Sequence, residues 1–281
     1  MLKKLSLMAV FVGFMIFLVA CNDDSSDSKN LSDTSSKENT VITISGSTSV
    51  GPLAEKLAAR FEERENLKIE INQIGSSAGI TNAISGVSEI GMSSRDLKQE
   101  EIDQGIEQLV IAHDGIVVVA HPSNGVKDLT VDQVKEIFTG KVTNWKDVGG
   151  EDKEIVVVSR EEGSGSRDAF QEIVGYESGE LIRNAVIANG NGNIKTTVAT
   201  NENAVGFISF EYMDDTVSAL KYNGVEPTAA NVLAGKYELS RPFLFVYKDG
   251  VSDAAQKFMD FIVSTDGQKI VEEAGAIPLD K

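Results

Sequence analysis

Cysteine occurs once in the 281 residues, at Cys21, and histidine twice, at His113 and His121. A lone cysteine excludes an internal disulfide, and so few cysteines and histidines argue against a structural zinc site. Basic residues are scarce beside acidic ones, 26 against 43, which gives a formal charge of −17. A field of that sign opposes nucleic acid and anionic membrane surfaces. There are five prolines, and no proline- or glycine-rich linker divides 41–281. Long hydrophobic runs are missing except for Leu5–Ala20, which has 16 uncharged residues. That is short for a membrane span, which needs about 20. With 41% hydrophobic and 25% charged residues the composition is that of a soluble protein. The length suggests two domains or lobes at about 150 residues each.

The short hydrophobic run follows Lys3 and Lys4 and ends Leu18-Val19-Ala20-Cys21. A positive start, an apolar middle and a small-residue end make a secretory signal over 1–20. The last four residues resemble the bacterial lipobox, which implies lipid on Cys21 as the mature N-terminus. Residues 22–40 are polar, with Leu31 the one apolar side chain. Such a stretch cannot bury enough surface to offset its ordering entropy, so 21–40 reads as a lipidated tether. A secreted, tethered acidic domain is better suited to capture than to cytoplasmic metabolism.

From Val41 short β-rich runs alternate with amphipathic stretches. Val41–Ile44 reads as a strand. Pro52–Glu65 reads as a helix, with Leu53, Leu57 and Phe61 along one face. Strands are expected at 67–71, 89–92, 109–112, 116–119, 155–158, 185–187, 205–210 and 243–247. Helices are expected at 78–85, 98–105, 131–138, 167–174, 195–200, 254–263 and 267–274. Alternation with crossovers implies α/β architecture with largely parallel sheets. The runs 115–120 and 243–247 are the expected crossings between lobes, with lobe 1 made of 41–114 plus 241–281 and lobe 2 of 115–240. Trp145 and Phe138 are expected to pack in the second lobe.

Four segments share one design, a strand followed by a small hydroxyl-rich turn and usually a helix. They are Ser45–Pro52, Gly75–Gly79, Gly91–Asp96 and Ser159–Arg167. A helix start carries unpaired N–H groups and partial positive charge, so it binds anions. Serine and threonine add donors without bulk, and arginine adds a planar fork for oxyanions. Each turn alone is also an ordinary helix cap, worth about 1 kcal/mol. Four in one chain, two with arginine, point instead to one tetrahedral anion held at the strand ends.

Other motifs compete with this reading. Gly75-Ser76-Ser77-Ala78-Gly79 fits the nucleophile elbow of serine hydrolases, with Ser77 as nucleophile. That fold needs its histidine last in the chain, whereas about 160 residues follow His121. Gly163-Ser164-Gly165 is not a dinucleotide fingerprint, because Asp168 stands where the third glycine belongs. Gly140-Lys141 lacks the spacing of a phosphate-binding P-loop. Asp23-Asp24 and Asp214-Asp215 read as solvated pairs, not metal ligands.

The runs ITISGSTSVGPLAEKLAARFE, INQIGSSAGI, IGMSSRDL, EIFTGKVTNW, VVVSREEGSGSRDAF and NAVGFIS together resemble the phosphate-binding proteins of bacterial phosphate ABC importers. The resemblance covers nearly all of 41–281. It implies a two-lobed periplasmic-binding-protein-like fold, each lobe a mainly parallel sheet flanked by helices, with two strand crossings and the anion in the cleft. By position it makes Thr48, Ser49, Ser76, Ser94, Arg95, Arg160, Ser164, Gly165 and Ser166 the phosphate ligands. Some relatives have aspartate at the position of Ser94, where it accepts the phosphate proton. Here Asp96, Glu162 or Ser94 itself is left to do so. The partners implied are inorganic phosphate, the membrane permease of an ABC importer and, through Cys21, the outer face of the cell membrane. No cofactor, metal, nucleic acid or catalytic residue is expected, and the chain is expected to be monomeric. The alternatives are another oxyanion (sulphate, molybdate or tungstate), a serine hydrolase using Ser77, or a surface adhesion or signalling protein that kept the fold.

Overall fold

A computed structural model describes residues 41–279, so the expected signal, Cys21 and tether lie outside the described residues. The elements run β1 (Val41–Gly46), α1 (Gly51–Glu65), β2 (Lys68–Gln73), α2 (Ser76–Ser85), β3 (Ile90–Ser93), α3 (Gln99–Ile102), β4 (Glu107–Ala120), β5 (Asp128–Leu129), α4 (Val131–Phe138), β6 (Val156–Arg160), α5 (Gly165–Val174), β7 (Val186–Ala188), α6 (Gly190–Ala199), β8 (Ala204–Ser209), β9 (Ser218–Ala219), β10 (Lys221–Tyr222), α7 (Ala229–Leu233), β11 (Ser240–Tyr247), α8 (Asp253–Val263) and α9 (Thr265–Glu273). The main strand order is β2-β1-β3-β11-β4-β8-β6-β7, with β9 added on β4. β5 and β10 form a separate parallel pair.

In α1 the four-residue spacing of Leu53, Leu57 and Phe61 aligns them on one face, and all three are buried. Pro52 sits near the helix start, where its missing N–H costs nothing. That face joins Ile42 and Ile44 of β1 and Phe245, Phe258 and Ile262 in one core. Truncating Leu57 to alanine there would cost about 2–5 kcal/mol. A second core gathers Ile116, Val118, Phe138, Trp145, Phe170 and Phe207. Trp145 and Phe138 are thus buried packing residues, with Trp145 Nε1 donating to the Asn203 carbonyl at 3.0 Å. A third cluster, with Val117, Val119, Ile194, Val198 and Ile208, covers the opposite face of the second sheet region.

β1, β2 and β3 are mutually parallel, as are β6, β7 and β8. β11 runs antiparallel to β3 and β4, and β4 antiparallel to β8. Each lobe is therefore a parallel sheet completed by strands that cross between lobes. Separate strands are expected at 109–112 and 116–119, with Asp114 and Gly115, both of low strand propensity, between them. The structure makes them one strand of 14 residues, β4. Asp114 is tolerated there because Arg241, its register partner on β11, pairs with it. Gly115 is required because a Cβ would lie 2.1 Å from the Phe210 ring.

The crossings are on the expected strands but not over the expected runs. One core ends at Ala112 and the next begins at Ile116 on β4, while on β11 the change falls between Leu239 and Phe243. The expected helix at 98–105 is only the single turn α3. The helix expected from Lys195 begins earlier, at Gly190. Phe210, expected in β8, opens a 3-10 turn, Phe210–Tyr212.

Candidate functional site

A parallel sheet with crossover helices puts the helix starts at the carboxyl ends of its strands. Here α1 follows β1, α2 follows β2, α5 follows β6 and α6 follows β7. Their first residues meet across the cleft between the lobes. Ser49, just before α1, has its Oγ 2.8 Å from Ser166 Oγ in the first turn of α5. Asn191 at the start of α6 donates from Nδ2 to Ser49 Oγ at 2.9 Å. Ser76 at the start of α2 accepts from Ser94 N at 3.1 Å and lies 3.3 Å from Ser94 Oγ. Gly165 brings the α5 backbone close to the same hydroxyls, since a Cβ on it would lie 2.3 Å from Ser76 Oγ and 2.8 Å from Ser94 Oγ. Ser77 N donates to the Gly163 carbonyl at 3.2 Å, closing the two turns on each other.

Arg160 ends β6 and is buried to 1% exposure. Its Nη2 donates to Thr48 Oγ1 at 2.9 Å and its Nη1 to Ser166 Oγ at 3.3 Å. Glu161 holds the guanidinium in a fork, accepting from Nε at 2.8 Å and from Nη2 at 2.7 Å. Burial pushes the Glu161 carboxyl up, but the hydrogen bonds and charge of Arg160 outweigh it and hold the group below its ordinary range. The Gly190 N–H on α6 supports Glu161 from behind at 3.2 Å. Tyr212 donates its hydroxyl to the Thr48 carbonyl at 3.3 Å.

Thr48, Ser49, Ser76, Ser94, Arg160, Gly165 and Ser166 are thus brought together. Ser164 is buried beside them, and its Oγ caps α5 by accepting from Arg167 N at 3.3 Å.

Arg95, expected as an anion ligand, is placed differently. Its five N–H groups are all engaged by protein. Nε donates to Asp168 Oδ2, Nη1 to Glu101 Oε2 and the Asp96 carbonyl, and Nη2 to Glu101 Oε1 and Ser77 Oγ. Asp168 lies on α5, so this arginine ties the two lobes. Asp96 and Glu162 are both exposed. Asp96 lines an open groove of about 500 Å³ with Lys98, Asp168 and Tyr176, beyond Arg95. The Ser47 hydroxyl donates to Ser94 Oγ at 2.9 Å.

Among the described residues no base pairs with the nucleophile elbow. Ser77 Oγ accepts from Arg95, His113 pairs its backbone with Ile277, and His121 Nδ1 bonds Ser123 Oγ at 2.7 Å. Asp214 pairs with Lys195 at 2.7 Å.

Sequence reasoning missed Ser47, Glu161 and Asn191. The expected helix starts only at Lys195, because the glycines and asparagines of Asn189-Gly190-Asn191-Gly192-Asn193 disfavour helix interiors. The available signal was position, since the run follows a strand just as the four hydroxyl turns do.

Two α/β lobes joined by crossing strands, with helix starts and an arginine facing each other between them, define a two-lobed solute-binding protein. A family model described as a PBP superfamily domain matches residues 32–266. The phosphate-binding protein PstS of Bacillus subtilis is 34% identical, over 99% of this chain and 94% of that protein. A Clostridium perfringens protein described as a phosphate ABC transporter substrate-binding protein, solved with bound phosphate, is 56% identical. It matches with a TM-score of 0.85 over 86% of this chain and 100% of that one. An ABC-type phosphate transport receptor from Vibrio cholerae is 36% identical, with a TM-score of 0.75 over 85% of this chain and 100% of that one. The chain belongs to the PstS family within the PBP superfamily.

Proposed function

We propose that this chain is the solute receptor of a phosphate ABC importer, taking inorganic phosphate between its lobes and delivering it to the membrane permease. The observation that carries the reading is the meeting of four helix starts, their hydroxyls and Arg160 across one cleft. The names of its relatives in Bacillus subtilis and Vibrio cholerae, and the phosphate bound to the Clostridium perfringens protein, support it.

In this reading Arg160 supplies the positive partner. Thr48, Ser49, Ser76, Ser94 and Ser166 supply hydroxyls, and Ser164 and Gly165 open the α5 cradle of N–H groups. Arg95 serves as a tie between lobes. Ser94, not Asp96 or Glu162, takes the place of a proton acceptor, because it alone of the three is buried among the other hydroxyls. The lobes divide as 41–114 plus 241–281 and 115–240, and the closed form docks on the permease. Lipid on Cys21 holds the receptor at the outer face of the membrane, and it works as a monomer without covalent chemistry. Among the described residues no helix is long and apolar enough to cross a membrane.

Calorimetry with phosphate, sulphate and arsenate tests the reading. Phosphate is expected to bind best, and Arg160→Ala to weaken it by about 100-fold, the loss of two charge-assisted hydrogen bonds. Preference for sulphate, or unchanged affinity in Arg160→Ala, would overturn it. Palmitate labelling that survives Cys21→Ser would remove the lipid anchor from the reading.

A further inference from the structure

Asn191 is 1% exposed and carries a polar side chain with two fixed partners. Its Oδ1 accepts from the Ser209 backbone N–H at 3.2 Å, and its Nδ2 donates to Ser49 Oγ at 2.9 Å. A backbone N–H can only donate, so the amide's orientation is settled: its oxygen faces Ser209 and its NH2 faces Ser49. Ser49 Oγ in turn contacts Ser166 Oγ, which accepts from Arg160 Nη1. Amide and guanidinium nitrogens donate and do not accept.

A hydroxyl offers one proton and two acceptor lone pairs. Asn191 fills one lone pair on Ser49, and Arg160 fills one on Ser166. Their mutual bond uses one proton and one further lone pair. One proton and one lone pair are left over, and of these only the proton can meet an oxyanion, held between two donors that cannot reverse. The far end of this chain is anchored. Ser209 Oγ donates to Asp114 Oδ1 at 2.8 Å, and Asp114 is paired with Arg241 on the crossing strands.

We propose that Asn191 is a positioning residue for anion binding, acting through Ser49: it commits the Ser49–Ser166 hydroxyl pair to donate into the cleft. This rests on the cleft being the phosphate site. The ionisable groups linked to Asn191 are Arg160 at the end of β6, Glu161 just after it, Asp114 in β4 and Arg241 in β11, and the 3-10 turn packed against α6 adds Glu211 and Tyr212.

Two readouts separate this role from simple packing. Calorimetry with inorganic phosphate on the purified chain gives the first, a double-mutant cycle of Asn191→Ala and Ser49→Ala. Asn191→Ala is expected to weaken binding about tenfold in the parent and by about twofold or less once Ser49 is alanine. The second is Asn191→Asp, whose carboxylate would draw the Ser49 proton away from the anion. Relative to the parent at each pH, it is expected to bind about 10–100-fold more weakly near pH 8. The gap narrows toward pH 5, as protonation lets the acid donate as the amide does. If Asn191→Asp does not fold, as judged by its thermal melt, the cycle decides alone. Equal costs in both backgrounds, or a gap that does not move with pH, would overturn the proposal. A parent chain that binds no phosphate would instead overturn the reading of the site.

Discussion

Glu211 sits in the 3-10 turn after β8, mostly buried, and its Oε1 has no hydrogen-bond partner among the described residues. Burial pushes its pKa up, the Asp114 carboxylate adds to the effect, and Lys56 and Arg241 only partly oppose them, so that it rises from 4.5 to about 8. The folded chain therefore holds a proton here that the unfolded chain gives up above about pH 4.5. At 1.36 kcal/mol per pH unit the full shift corresponds to at most roughly 5 kcal/mol. The sign follows from the proton count. The contribution is fully present below the unfolded value, declines through the window between, and is gone once the pH passes about 8. Glu211→Gln keeps the shape and stays neutral. Its stability relative to the parent is expected to rise steadily from about pH 4.5, reaching an advantage of a few kcal/mol near pH 9. Urea unfolding of both proteins across this range measures the difference at each pH. Comparing the two cancels the other carboxylates, such as Asp214, whose pKa is lowered to about 2 chiefly by its hydrogen bond from Lys195. A difference that stays flat with pH would refute the reasoning.

Three other substitutions test separate features. Arg241→Met leaves the Asp114 carboxyl, 1% exposed, without its partner, and is expected to cost about 3–5 kcal/mol in a thermal or urea melt. Replacing Asp114 by leucine as well should return most of that loss, and a single-variant cost below about 1 kcal/mol would show that the pair does not hold the crossing strands. Gly165→Ala puts a Cβ 2.3 Å from Ser76 Oγ, so phosphate affinity should fall about tenfold or more while the melt moves little; unchanged affinity would show that the cleft does not close this tightly. Asp168→Asn removes the cross-cleft charge from Arg95 but leaves Glu101 in place. Asp168 is 30% exposed, so stability should change by less than about 1 kcal/mol while phosphate release, followed by stopped flow, becomes faster.

Elements whose signal is local could be read from the sequence. The four-residue stripe of α1, the apolar runs of β1 and β8, and the hydroxyl turns before α1, α2 and α5 all appear near the expected places. What could not be read depends on a partner distant in sequence. The strands expected at 109–112 and 116–119 become one only when Arg241, far along the chain, is seen opposite Asp114. α6 is expected only from Lys195, and its first turn, from Gly190, makes sense once its N-terminal end is seen to satisfy Glu161 and Ser49. The sequence pointed to Arg95 because arginine suits oxyanions, but it could not show that Glu101 and Asp168 already occupy the fork. The same type of residue, Arg160, keeps its place in the cleft because its carboxylate partner is the adjacent Glu161, which holds the fork from one side and leaves Nη1 and Nη2 facing the hydroxyls.

These pairings also explain how a chain of charge −17 can hold an anion. Exposed charge beyond about 8 Å is screened at physiological salt, so the local balance decides. Around the cleft each buried arginine has a carboxylate: Glu161 for Arg160, Glu101 and Asp168 for Arg95, Asp114 for Arg241. The local net charge is therefore close to neutral, and what remains directed inward is a set of donors, namely helix-start N–H groups, hydroxyls and the guanidinium edge of Arg160 that meets Thr48 and Ser166. A site built in this way attracts its guest weakly from afar and recognises it by hydrogen-bond geometry at contact. Donors of that kind are spread over both lobes, and in this arrangement Ser49 and Thr48 of one lobe reach Ser166 and Arg160 of the other.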